Sequence, residues 1–229
     1  MRTILPGMRD CAAIVHVSPA LGAAFVQYTA ELQSGGELGG TDAQRFFYML
    51  EGSVEVESEL QSSHLSARGY AYFPEGVAHR IVATEPSRIA VIEKIYRPLD
   101  SAAHPLTIVS SEDAVTSHAL SDDPDLQVKC LLPDAMSFDF AVNTMTYQPG
   151  AALSMVEMHV MEHGLLMLEG GGIYRLGDSW YPVTAGDFIW MGPWCPQWFG
   201  ALGKGPAKYL IYKNWNRHPL SDIYRDRHY

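Results

Sequence analysis

Cysteine is scarce in this chain of 229 residues: Cys11, Cys130 and Cys195 are odd in number, far apart and in no C-x-x-C pair. That argues against a disulfide framework or a thiolate zinc site and fits a reducing compartment. Basic residues are also few, 16 Lys and Arg against 26 Asp and Glu, for a formal net charge of −10 without any basic run. The electrostatic footprint expected for nucleic acid or an anionic membrane is missing, so neither is expected as a partner. Nowhere do about eighteen apolar residues run uninterrupted. The opening "MRTILPGMRDCAAIV" also lacks the apolar stretch of a signal peptide. The expectation is a soluble cytoplasmic protein. Long helical periodicity is hard to find, the best short pieces lying near residues 109–118.

What is present is a folding composition, 47% hydrophobic and 18% charged, arranged in short segments rich in Val, Ile, Phe and Tyr. Examples are "AAFVQYTAEL", "RFFYMLEGSVEVE", "YAYFPEG", "RIAVIEKIY", "FDFAVNTMTY", "GIYRL" and "KYLIYK", separated by Gly, Pro, Ser and Asp. Regular short strands with turn signals between them predict an all-β sandwich or barrel. The tetrapeptide "MLEG" occurs at 49–52 and again at 167–170, a shift of 118 positions. The same shift aligns "YFPEGVAHR" (72–80) with "WMGPWCPQW" (190–198). Two matches at one offset predict a duplicated β domain. Between the copies the strand pattern gives way to Ser, Asp and Pro, so the expected organisation is a domain over 1–99, a linker over 100–124 and a second domain over 125–229.

The second copy carries the chemistry. "VEMHVMEHGLLMLEG" (156–170) packs Glu157, His159 and His163 into seven positions. On an extended strand Glu157 and His159 share a face, and His163 follows beyond a bend or at the start of the next strand. Three metal-capable side chains call for a fourth ligand or a water. Moving His79 forward by the repeat offset lands on Gln197, in the loop "GPWCPQW" after the apolar "DFIWM". Two imidazoles, a carboxylate and an amide oxygen suit Mn, Fe, Co, Ni or Zn. By the same offset the first copy has Gly39, Thr41, Arg45 and His79 at these places. One His without partners holds no divalent ion, and a structural role is expected there.

Glu, x, His, three further residues, a ligand, six more residues and then Gly, followed by a "GD" strand and a Pro-rich turn ending in a ligand, has the form of the two cupin motifs. The order is permuted: Glu157 takes the first His slot, His163 the Glu slot and Gln197 the final His slot. With "HGLLMLEGGGIYRLGDSWYPVTAGDFIWMGPWCPQWFGALGKGPAKYLIYKNWNRHPL" (163–220), this set closely resembles the bicupin (S)-ureidoglycine aminohydrolases of purine catabolism. The resemblance reaches more loosely back through "ILPGMRDCAAIVHVSPALGAAFVQY". Members of that family usually carry a further stretch before the segment that opens here. The resemblance implies two tandem cupin barrels, Mn²⁺ held by Glu157, His159, His163 and Gln197, and substrate contacts from Glu157, Gln197, Tyr209 and Lys213.

The residues themselves support that chemistry. A divalent ion with one carboxylate ligand keeps a local charge of about +1, which favours an anionic chelating small molecule such as an α-carboxylate. Tyr209 and Lys213 are four apart in "KYLIYK", so on a strand they share a face with Ile211, and a cation and a phenol beside a metal form an anion clamp. Glu157 or Lys213 would shuttle a proton to the leaving ammonia. Tyr174 is a further candidate for the pocket wall, Trp190, Trp194 and Trp198 read as apolar walls, and Met155, Met158, Met161 and Met167 read as core. Cys195 is taken as a packing residue. Two other classes stay open: an oxygen-dependent bicupin of dioxygenase or decarboxylase type, and a non-enzymatic small-molecule-binding cupin. Edge strands of stacked cupins commonly pair between subunits, so a homo-oligomer is expected.

Overall fold

Each β-branched and aromatic segment singled out above becomes a strand in the computed structural model, which describes residues 2–58 and 62–214. Two units divide between Ala114 and Val115. The first holds β1 (Arg2–Thr3), β2 (Arg9–Val17), β3 (Val26–Leu38), β4 (Gln44–Glu51), β5 (Ser53–Ser58), β6 (Ser62–Ser66), β7 (Gly69–Phe73), β8 (His79–Ala83), β9 (Ser87–Lys94) and β10 (Ile108–Ser111). The second holds β11 (His118–Leu120), β12 (Asp123–Cys130), β13 (Ala141–Tyr147), β14 (His163–Glu169), β15 (Gly171–Leu176), β16 (Ser179–Thr184), β17 (Phe188–Met191), β18 (Gln197–Ala201) and β19 (Ala207–Lys213). Each unit encloses its own apolar core.

The segment 100–124 is more than a connection: β10 pairs with β7 and β11 with β12, which draws residues 108–111 and 118–120 of the expected linker into sheets. The helical pieces expected near 109–118 reduce to one 3-10 turn, Glu112–Ala114, where the Glu112 carboxylate is buried and accepts from the Tyr48 hydroxyl at 2.6 Å.

The duplication is visible strand by strand. Arg45 faces Phe73 across β4 and β7 as His163 faces Met191 across β14 and β17, a shift of 118 at both ends. The repeated "MLEG" is one device used twice: Gly52 and Gly170 adopt φ of 76° and 64°, and a Cβ on either would run into the carbonyl of Pro86 or Pro206. Only glycine accepts both the left-handed backbone and the close approach. The shift is not uniform. Glu93 stands opposite Arg45, whereas Lys213 stands opposite His163, so β9 and β19 correspond at 120, the loop 202–206 being two residues longer than 84–86. Between β13 and β14 the second unit is three residues longer than the first between β3 and β4, since Val26 and Ala141 occupy matching places opposite Glu93 and Lys213. Arg45 and His79 are therefore true counterparts of His163 and Gln197. Gly39 and Thr41 lie where the extra length enters and do not match Glu157 and His159 one for one.

Candidate functional site

In the second unit the inward face of the larger sheet is laid out by register. His118, Val128, Met145 and Tyr209 form one cross-strand row, Cys130, Asn143 and Ile211 the next, and Lys213 faces His163 at the end. All of these line one cavity of about 220 Å³. The two-residue period of β19 thus brings Tyr209, Ile211 and Lys213 into one space, as the sequence pattern predicts. The cavity is closed by Gln197 and Tyr174 from the smaller sheet and by Leu153, Glu157, His159 and Met161 from the segment between β13 and β14.

That segment is not the extended strand expected from "VEMHV". Residues 148–162 form a loop that touches the sheet at two bridges, Ala152 to Gly200 and Glu157 to Gln197. The three extra residues bulge it away from β18, so Glu157 and His159 reach the cavity from a loop and not by strand alternation. The loop is pinned by backbone bonds: Glu157 N donates to Gln197 O at 2.8 Å, Gln197 N to Glu157 O at 2.9 Å and Trp194 N to His159 O at 2.7 Å. Trp194 holds φ at 64° to make the last of these, and such strain persists where the surroundings over-determine the backbone.

His163 opens β14, is buried, and its Nδ1 donates to the Tyr212 carbonyl at 3.2 Å. The bond fixes the tautomer and leaves an Nε2 lone pair aimed at His159 Nε2, 3.2 Å away. Burial first, then the Lys213 and His159 charges, lower its pKa from 6.5 to about 3, so the imidazole is neutral, the form a metal requires. The Gln197 amide nitrogen lies 2.8 Å from His159 Nε2, and its Oε1 accepts from the Tyr174 hydroxyl at 3.3 Å. Turned over, the same amide would present its oxygen to His159 Nε2 and its nitrogen to the Tyr174 oxygen, because an amide exchanges donor for acceptor by a half-turn. Two ligands at right angles, each about 2.1 Å from an ion, lie about 3.0 Å apart. The edges of 3.2 and 2.8 Å between these three side chains have that length. His159 Nδ1 is buried with no partner among the described residues.

The donor set fits a first-row divalent ion, with one difference from the expected quartet. Among the described residues no three His, Cys, Asp or Glu side chains gather closely enough to hold a metal. The atoms already together are His159, His163 and Gln197. Glu157 lines the cavity and is half-buried, free to turn toward them.

Lys213 is pushed down in pKa by burial, against the opposing charges of Glu157 and Cys130. Asn143, turned so that its nitrogen donates to the Val142 carbonyl at 3.0 Å, accepts from Lys213 Nζ at 3.3 Å. Tyr209 is buried and its hydroxyl meets that of Tyr147 at 2.7 Å, burial holding both phenols above their ordinary pKa. Sequence reasoning passed over Asn143, Cys130, Met145 and His118. The alternation of "AVNTMTY" carried a signal for the first and third, and His118 lay in the presumed linker. The expected tryptophan walls are absent from the lining: Trp190 Nε1 donates to Glu162 at 3.2 Å, Trp198 Nε1 to the Leu153 carbonyl at 2.7 Å, and Trp194 is exposed. Among the methionines, Met167 is core and Met161 borders the cavity, but Met155 and Met158 are exposed because they sit on the bulged loop. Cys195 packs at the edge of the core.

The first unit answers the same positions with a different solution. Arg45 stands where His163 stands, donating from Nε to Glu93 Oε1 at 2.7 Å and from Nη1 to His79 Nε2 at 3.0 Å. The His79 ring stacks on Phe73 at 4.0 Å between centroids. A fixed guanidinium stands in the place of His163 and its carboxylate partner Glu93 in the place of Lys213, so a buried ion pair in the first copy replaces a neutral imidazole and a lysine in the second.

Residues 20–96 match the EutQ-like cupin domain family and residues 143–212 the cupin domain family. The (S)-ureidoglycine aminohydrolase of Arabidopsis thaliana is 41% identical over 94% of this chain and 73% of its own length. That of Escherichia coli K12 is 33% identical over 95% of this chain and 85% of its own. The crystal structure of protein Ylba from E. coli superposes with a TM-score of 0.83 at 29% identity, covering 95% of this chain and 88% of that one. With a cupin domain in each unit and this identity along nearly its whole length, the chain belongs to the (S)-ureidoglycine aminohydrolase family.

Proposed function

We propose that the protein hydrolyses (S)-ureidoglycine, releasing ammonia and giving (S)-ureidoglycolate, with Mn²⁺ held by His159, His163, Gln197 and, after a turn of its half-exposed side chain, Glu157. The observation that carries this reading is a single cavity of about 220 Å³ with two imidazoles and an amide at one end and Lys213 and Tyr209 on the facing sheet. Bound there, the ion supplies a positive anchor and Lewis acidity toward the substrate's oxygen and nitrogen atoms. The chain's own groups supply the rest. Lys213 places an ammonium and Tyr209 a phenol proton for the substrate carboxylate, and two such contacts fix how the tetrahedral carbon presents its amine. Burial keeps the Tyr209 and Tyr174 phenols protonated, so both act as donors or neutral acceptors and not as bases. The C–N bond breaks as the water oxygen bonds to that carbon, and the proton the water loses is the one the departing amine gains to leave as ammonia, relayed by Glu157 or Lys213.

The test is ammonia release from freshly generated ureidoglycine by manganese-loaded protein, with chiral analysis of the product. Stereoselective release, unchanged without oxygen, is expected. Absence of release from fully loaded protein, or turnover that stops when oxygen is removed, overturns the reading.

A further inference from the structure

Behind the cavity wall two buried phenols meet, Tyr147 and Tyr209, with their oxygens 2.7 Å apart. One O–H···O bond uses one of the two protons and leaves the other. The surroundings decide which. Tyr147 is fully buried, set back from the cavity, with Phe199 edge-on at 4.9 Å and the Tyr209 ring at 5.5 Å between centroids. Among the described residues Tyr209 is the single hydrogen-bond partner of its hydroxyl. If Tyr209 donated, the Tyr147 proton would be shut inside an aromatic wall without an acceptor, the costly outcome for a buried polar group. If Tyr147 donates, its proton is satisfied, and the spare proton belongs to Tyr209, the member of the pair that lines the cavity.

We infer that Tyr147 is a positioning residue: its hydroxyl holds the Tyr209 oxygen and orients the Tyr209 proton into the cavity, toward an anionic oxygen of the bound ligand. The inference rests on the proposed placement of the substrate carboxylate against Lys213 and Tyr209. It adds a specificity determinant outside the cavity lining, since a ligand lacking an acceptor at that point would leave the aimed proton unmet.

The experiment compares Tyr147→Phe and Tyr209→Phe with the wild type, all manganese-loaded full chains, by steady-state kinetics with ureidoglycine, calorimetric binding of glycolate, and thermal melting. For Tyr147→Phe, KM should rise about 3- to 10-fold with kcat within about twofold, and glycolate should weaken by a similar factor. Melting reads the direction of the bond: Tyr209→Phe strands the Tyr147 donor and should melt below Tyr147→Phe, which strands nothing. Unchanged KM and glycolate affinity in Tyr147→Phe overturn the inference, as does a Tyr147→Phe protein that melts below Tyr209→Phe. Wild-type protein that binds glycolate but releases no ammonia would fail the proposed function, while the binding and melting comparisons still decide this inference. Glycolate that binds to none of the three proteins also overturns it, because the aimed proton would have no acceptor to serve.

Discussion

Neutralising Glu93 tests whether the buried Arg45–Glu93 pair holds the centre of the first unit together. In Glu93→Gln the shape and one acceptor remain, but Arg45, whose side chain is 3% exposed, keeps its charge with only His79 and an amide beside it. Two charge-assisted contacts at 2.7 and 2.6 Å lose their anion. Removing one partner of a buried pair costs about 3–5 kcal/mol, and the 16% exposure of Glu93 puts this case near about 3 kcal/mol. For a unit of this size that is a fall in Tm of roughly 10–15 °C. Differential scanning calorimetry on the full chain measures it, and the double variant Arg45→Met, Glu93→Met should recover to within about 2 kcal/mol of wild type, since the stranded charge is then gone. Ammonia release at 25 °C should stay unchanged in both, because every residue of the cavity comes from the second unit. A Glu93→Gln protein melting within about 2 °C of wild type would refute the argument that this pair is what holds the first barrel's centre.

Replacing His159 by Ala removes the imidazole shared by both short contacts; on the proposed metal site, manganese retained by the wild type after dialysis should fall to background in the variant. A stabilisation of about 2.7 kcal/mol at metal concentrations 100-fold above Kd should be seen in the wild type and be lost from the variant's melting curve. Lys213→Met should lower kcat/KM about 10- to 100-fold, chiefly through KM, the worth of one charge-assisted bond to a carboxylate. Burial lowers the His79 pKa from 6.5 to about 4, helped by Arg45. The unfolded chain therefore binds this proton first as pH falls. The resulting loss of stability, at most about 3 kcal/mol, sets in below pH 6.5 and is complete near pH 4. His79→Gln should flatten that part of a pH series of denaturant melts.

Much of the site was legible because it depends on local period and repetition. "KYLIYK" alternates, so Tyr209, Ile211 and Lys213 had to share a face. "MLEG" recurs because the same left-handed glycine meets the same proline carbonyl in each copy, and its offset carried His79 onto Gln197. The strands followed for a related reason: β-branched and aromatic residues between turn signals have few other folds open to them. Three features escaped that logic. The bulged loop bearing Glu157 and His159 comes from extra length with no local signature. The strands within the presumed linker form because unsatisfied sheet edges offer them partners. The replacement of Arg45–Glu93 by His163–Lys213 depends on a two-residue difference between loops 84–86 and 202–206, which changes the repeat offset of the last strand from 118 to 120 while its register is kept.

The sequence alone determined that the chain is a duplicated all-β protein with Glu157, His159, His163 and Gln197 at cupin-motif spacing in its second half, because side-chain period and repeat spacing are properties of the chain. Only the tertiary structure decided that His159, His163 and Gln197 meet within hydrogen-bond distance, that Asn143 stands beside Lys213, and that Tyr147 backs Tyr209. Those contacts join residues 38 to 70 positions apart, apart from the His159–His163 pair. Contacts that distant are set by which strands pair and in what register, and no local pattern encodes either.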